Sequence, residues 1–418
     1  MADATPSTGG TTVAVVSGGH FLSHVYILAL PPLFPLIQSE FGWGPTRLGL
    51  VVSVLALAGL LQPAVGGAVD RYGAKRLFVA GLVVSAVGLA LIGVAPSYGA
   101  VLGFALLSGL GQTTFHPADY AMIGAVTTDA TKGRSFSAHV LAGYMGFAVA
   151  PTLVGTLGLQ FGWRTALIAV GALGPLYAVV AALVLEPVYL DSMADSERAE
   201  STDPTEPADR PSLATRLRVF LRPATVLLLL FFLMLTVSEK GIQTFTPLLV
   251  SDTFGLPEAT SNLALTAYFA ASSVAIVAGG VLADRLPPRY IAGAMLSLAA
   301  GVMVTIVTFG SYLTSASAVA VFACVGFCVG LVLPSRDRFV NAVAPSGSTG
   351  RTFGFVFAGI SLGGVVGPAT LGVIIDHAGA PPAFLVVAAG YVVAVTIVAT
   401  LGSSRIGRRT DAATSGED

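Results

Sequence analysis

Several apolar stretches of this chain carry side chains that can exchange protons or hold charge. His20 and His24 stand four residues apart, so on a helix they share a face. Gln62 stands alone in a second stretch, before Pro63. Gln112, Thr113, Thr114, His116, Asp119 and Tyr120 crowd a third, and His139 and Tyr144 occupy a fourth. Glu239, Lys240 and Gln243 follow further on, then Asn262 and Tyr268, and lastly Arg336, Asp337 and Arg338. An ionisable group inside an apolar segment is costly and is a functional candidate by default. His24, His116, Asp119 and Glu239 are the groups whose protonation burial can tune near neutral pH. Lys240 and Arg336 can hold an anion. Glu239 and Lys240 are adjacent, so on a helix they point about 100° apart. One is expected to face a central cavity and the other a neighbouring helix. The histidines could hold a metal instead, but no cysteine or carboxylate pair is spaced with them, so none is expected.

Apolar segments of membrane-spanning length must position these groups. The chain has 418 residues, 54% hydrophobic and 10% charged, with a mean hydropathy of +0.83. A soluble domain carries about 25% charged residues, so this chain cannot cover a water-facing surface. Crossing about 30 Å of hydrocarbon takes about 20 helical residues. Segments of that order fall near 13–38, 46–69, 77–96, 98–126, 135–159, 163–186, 224–251, 259–283, 290–312, 315–341, 352–376 and 381–402. These twelve divide into two six-helix halves, 13–186 and 224–402, joined by a polar linker over 187–223. Residues 1–12 and 403–418 read as tails. No basic region precedes the first segment, so a retained anchor is expected rather than a cleaved leader. Cys324 and Cys328 lie one turn apart on one helix face and are not expected to pair.

The halves are related by duplication. Gly66-Gly67-Ala68-Val69-Asp70-Arg71 and Gly280-Val281-Leu282-Ala283-Asp284-Arg285 end apolar runs 214 residues apart. Gly133-Arg134-Ser135-Phe136 is answered by Gly350-Arg351-Thr352-Phe353 at an offset of 217. At that offset Gly146, Pro151 and Gly155 match Gly363, Pro368 and Gly372, and Pro117 matches Pro334. Parallel six-helix repeats are the architecture of the major facilitator superfamily, and the two repeated patterns resemble its signatures. That resemblance implies an all-α membrane protein of two pseudo-symmetric bundles. Basic residues set the orientation. With both ends cytoplasmic, Arg71, Lys75, Arg76, Lys132, Arg134, Arg285, Arg289 and Arg351 all lie inside, and only Arg47 and Arg164 lie outside.

Asp70 ends a helix at its negative pole, so it needs a partner elsewhere. The expectation is that Asp70 caps the eleventh segment near Arg351, and Asp284 the fifth near Arg134. Such contacts exist only while the cytoplasmic side is closed, which makes the two loops a gate latch. Gly66, Asp70, Arg71, Arg134, Gly280, Asp284, Arg285 and Arg351 are therefore gating candidates. Gly359, Gly363 and Gly367 form a small-residue stripe for close helix approach. Gly359-Ile360-Ser361-Leu362-Gly363 matches a hydrolase elbow, but that motif needs a preceding strand. No phosphate-binding Gly-rich loop with Lys is present, so ATP is not expected as the energy source.

A narrower likeness rests on the first half. Gly19-His20-Phe21-Leu22-Ser23-His24-Val25-Tyr26 with Leu30-Pro31-Pro32-Leu33-Phe34-Pro35-Leu36 resembles helix one of the fosmidomycin-resistance branch. Leu60-Leu61-Gln62-Pro63 and Phe115-His116-Pro117 are similar to its helices two and four. The resemblance implies proton-driven drug efflux and carries over His20, Gln62, His116 and Pro117. The branch's usual Asn-Asp pair stands here as Ser23-His24, so the proton role falls to His24, Asp119 or Glu239. The expected function is secondary active transport by alternating access: proton-coupled efflux of a small organic anion or amphiphilic drug. Proton-coupled uptake of an organic anion or carboxylate is the alternative, and a non-transporting membrane sensor comes behind both. Expected site residues are His20, His24, Gln62, His116, Asp119, Tyr144, Glu239, Lys240, Gln243, Tyr268 and Arg336. Expected partners are a small-molecule substrate, protons and the lipid bilayer of the plasma membrane. No nucleic acid, cofactor or catalytic residue is expected, and the expected state is a monomer.

Overall fold

Prolines decide where the segments break in the computed structural model, which describes residues 6–186, 222–343 and 349–403. Segment one runs as Pro6–Ile27 and Phe34–Phe41 around Pro31 and Pro32. Its helix begins inside the stretch read as a tail. Segment two runs as Pro45–Leu57, a 3₁₀ turn and Gln62–Tyr72. Pro63 lacks the N–H that Gly59 would accept from, which loosens the helix there. Segment four, expected as one helix, is two: Tyr98–Gln112 and Phe115–Val126. Pro117 has the same effect on the carbonyl of Thr113, and the hydroxyls of Thr113 and Thr114 bond Leu110 and Gly111 carbonyls at the break.

The other segments are continuous. They are Ala74–Ile92, Asp129–Phe161, Trp163–Val184, Glu258–Ala283, Pro288–Phe309, Ser315–Val343, Thr349–Ala378, Ala380–Ser403 and Pro223–Leu248, the last passing into a π turn. Among the described residues ten spans are long and apolar enough to cross a membrane, and segment two adds an eleventh as a pair bent by 61°. Segment four completes the twelve of an all-α bundle in two halves. The Gly359–Gly363 pentad lies inside a helix, without the strand an elbow requires. Cys324 and Cys328 are both free. The expected linker and the outer ends of both tails lie outside the described residues.

Every second turn, with the charged repeated loops, falls on one side of the bundle, called here the loop side. The halves touch on the opposite, far side. There the Thr46 N–H at the start of segment two donates to Asp376 Oδ2 at the end of segment eleven, at 2.9 Å. Thr152 and Thr266 share a hydrogen bond of 2.7 Å between segments five and eight. Glycines allow this approach: a Cβ on Gly49 would sit 2.2 Å from the Pro368 carbonyl, and one on Gly155 2.0 Å from Asn262. On the loop side, Gln62–Tyr72 packs against segments three and four of its own half.

Gly359, Gly363 and Gly367 pack on segment seven of their own half, with Leu229, Thr236 and Val237 as neighbours. Among the described residues Asp284 makes no contact with segment five, and the Asp70 cap expected near Arg351 falls on residues outside them. Asp70, Arg71 and Arg134 are exposed, as is Arg285. Asp284 is bonded by Arg338 of segment ten, in the same half. A Cβ on Gly66 or Gly280 would meet open space. The side chain of Arg351 lies outside the described residues.

Candidate functional site

Segments one, four and five bring four histidines and one carboxylate to a single point in the first half. His20 and His24 lie one turn apart with tilted rings whose centroids are 4.3 Å apart. Past the break in segment four, His116 and Asp119 return towards them on the next turn. The His116 ring lies 5.1 Å from His20. Segment five contributes His139, stacked on His20 at 4.0 Å. Glycine permits this crowding, because a Cβ on Gly143 would lie 2.7 Å from both His20 and His24. A Cβ on Gly146 would lie 2.3 Å from the Phe21 carbonyl.

Asp119 is fully buried, and its Oδ2 lies 3.2 Å from His20 Nδ1 and 3.5 Å from His139 Nε2. Neither contact has hydrogen-bond geometry: both Asp119 oxygens, His20 Nδ1, both His139 nitrogens and His24 Nδ1 are buried without a hydrogen-bond partner. Such atoms are uncommon, and each costs about 1–3 kcal/mol unless something else satisfies it. One carboxylate, that of Asp119, joins the histidines. His116 and Tyr120 are exposed, and they form the open edge of the cluster. Gln112 braces it by donating to the Ser23 carbonyl at 3.1 Å and to Ser85 at 2.8 Å.

A second group forms in the other half around segment seven. Lys240 Nζ donates to Gln243 Oε1 at 2.7 Å and lies within electrostatic reach of His24, across the halves. Glu239 points differently, as its position on the helix requires. It lies within reach of Arg336 and of Tyr144, Tyr268 and Tyr391. Arg336 Nε donates to Asp337 at 3.0 Å, and its guanidinium sits 5.0 Å over the Phe232 ring. Both side chains reach both halves: Lys240 bonds Gln243 and reaches His24, and Glu239 reaches Arg336 and Tyr144. Arg338 bonds Asp284 and the Ala283 carbonyl.

Aromatic rings connect the two groups. Phe147 lies 4.1 Å from His24 and stacks on Phe269 of the other half at 5.0 Å. Tyr144 and Tyr268 flank that bridge. The arrangement supplies a carboxylate that can bind or release a proton, two cations for an anionic group, and an apolar wall for an organic body. Among the described residues Gln62 makes no hydrogen bond to either group; it opens the second helix of segment two. Three contributors were not singled out from sequence as site residues. His139 was visible as an ionisable group in an apolar segment, but it was not carried into the site set. Phe147 and Phe269 carry no such signal, because one apolar ring among many does not announce a contact.

The family whose sequence pattern matches is the Major Facilitator Superfamily, over residues 16–261 and 228–414. The fosmidomycin resistance protein of Escherichia coli (strain K12) is 28% identical over 384 residues, covering 87% of this chain and 86% of that protein. The multidrug resistance protein MdtH of Shigella boydii serotype 4 (strain Sb227) is 27% identical over 365 residues, 84% of each chain. Among solved structures, a bacterial homolog of the human lysosomal transporter Spinster, inward-facing and unoccupied, superposes with a TM-score of 0.73 at 16% identity, covering 98% of both chains. The nucleoside transporter NupG (D323A mutant) superposes with a TM-score of 0.73 at 14% identity, over 93% of this chain and 99% of that one.

Proposed function

The chain belongs to the Major Facilitator Superfamily, and from that premise we propose that it is a proton-coupled efflux carrier of a small organic anion or amphiphilic drug. The observation that carries the reading is the placement of Glu239 and Lys240 mid-way along segment seven, beside an aromatic bridge built from both halves. A site shared by two halves is the requirement of alternating access, since rocking one half exposes the same groups to either face. Lys240 anchors an acidic group, Arg336 supports it, and the Phe147–Phe269 pair receives the organic body. Glu239 takes up and releases the coupling proton. The similar proteins named for fosmidomycin and multidrug resistance support efflux as the direction.

Lys240→Ala tests the anchor. Losing a hydrogen bond to a charged group costs about 1.5–3 kcal/mol, which is a loss of roughly 10–100-fold in affinity for an anionic substrate. Binding to purified protein reads this directly, and unchanged affinity removes Lys240 from the site.

One observation favours the alternative, uptake of an organic anion by proton symport. Glu239 lies within reach of both Arg336 and Lys240, so a proton on it and an anion on those cations assist each other.

The basic residues of the loop side support a reading in which that side and both termini are cytoplasmic and the carrier sits in the plasma membrane. The loop side then faces inward. Asp70 and Asp284 serve as latches in the conformer closed on that side, capping segments eleven and five. A cap on a helix dipole contributes about 0.3–1 kcal/mol, so Asp70→Asn should lower the ratio of loop-closed to loop-open molecules roughly two- to fivefold. Spin-label distances across the loop side measure that ratio, and an unaltered ratio ends the latch reading.

A further inference from the structure

The buried histidine–aspartate cluster is not used by the proposed coupling site, and its atoms are arranged for something other than hydrogen bonds. We propose that His20, Asp119 and His139 form a binding site for one divalent transition-metal ion of the zinc class. The three ligand atoms, one from each residue, lie within 4.8 Å of one another. Around a tetrahedral ion with bonds of about 2.0–2.1 Å, ligand atoms stand about 3.3 Å apart. The Asp119 oxygen is already 3.2 Å from the His20 nitrogen and 3.5 Å from the His139 nitrogen.

The convergence is not explained by pairing within the protein. The His20 Nδ1, His139 Nε2 and Asp119 Oδ2 atoms are all buried without a hydrogen-bond partner. Two imidazoles and one carboxylate suit zinc, cobalt or nickel; calcium and magnesium require oxygen ligands. Three protein ligands leave a fourth position open, as in zinc sites that bind water or substrate. His116, exposed and 5.1 Å from His20 by ring centroids, forms the open edge of the cluster. An ion there ties segments one, four and five together. The site involves neither Glu239 nor Lys240, so it stands or falls independently of the transport reading.

Full-length protein, purified in detergent without a polyhistidine tag, provides the test by titration with Co²⁺. The expected result is one ion per chain with visible d–d bands, displaced by equimolar Zn²⁺. Asp119→Asn and His139→Gln should each weaken binding more than about 100-fold, beyond the loss typical of residues behind the ligands. His377→Gln, at the exposed far end of segment eleven, should leave it unchanged. Asp119→Cys should retain the site and add a thiolate-to-cobalt charge-transfer band that the wild type lacks. The proposal is overturned by a folded, monodisperse wild type without d–d bands, by full affinity in Asp119→Asn and His139→Gln, by loss in His377→Gln, or by a folded Asp119→Cys protein without the new band.

Discussion

Glu239→Gln should abolish uphill transport while leaving exchange of substrate across the membrane intact. Glutamine keeps the size and most of the polarity of glutamate but can neither take up nor release a proton at working pH. The carrier then still rocks and still binds, because Lys240 and the Phe147–Phe269 pair are untouched. What disappears is the link to the gradient. One proton moving across 100 mV supplies about 2.3 kcal/mol, enough for a substrate ratio of about fiftyfold. In inside-out vesicles the variant should therefore let substrate equilibrate to a ratio of about one, where the wild type reaches tens. Glu239→Asp should restore part of the accumulation. Full accumulation in Glu239→Gln would move the proton site elsewhere.

Gly49→Leu should open the far side. A Cβ on Gly49 lies 2.2 Å from the Pro368 carbonyl oxygen and 2.9 Å from its carbon, and neither backbone atom can move aside. The same seam runs on to Gly372, where a Cβ would lie 2.6 Å from the Pro45 carbonyl. Overpacking of this kind costs about 1–3 kcal/mol or more. The cost applies only while segments two and eleven touch, so it biases the conformational balance by roughly 5–150-fold. Labels at Ser39 and Ser311, both exposed on the far side, in a background lacking Cys324 and Cys328, should show a longer distance in the variant. A folded variant with the wild-type distance would mean that this seam does not control closure.

The sequence carried the architecture because the duplication carried it. Pro117 answering Pro334, and Gly146 answering Gly363, fix two halves before any contact is known. The breaks were visible in part. Pro63 and Pro117 stand where segments two and four loosen, yet hydropathy alone joins the pieces into single spans. The site was legible as a set of residues and not as a geometry. His20, His116 and Asp119 are conspicuous in apolar sequence, but the rotation of three helices decides which atoms converge. The same limit explains the gate. The charge of Asp284 asks for a cation, and sequence cannot tell that Arg338 on the neighbouring helix answers it in this conformer. Asp376 capping segment two on the far side was not foreseen either, although it mirrors on the opposite face the contact expected of Asp70.

The account rests on coupling between substrate and proton through one shared cavity. Proteoliposomes loaded with a pH-sensitive dye, under an imposed substrate gradient and no other driving force, test this directly. The account predicts that substrate leaving one compartment drives protons into it, a movement lost in Glu239→Gln. Substrate flux without any proton movement would contradict coupling, and protons moving with the substrate would replace efflux by the symport reading.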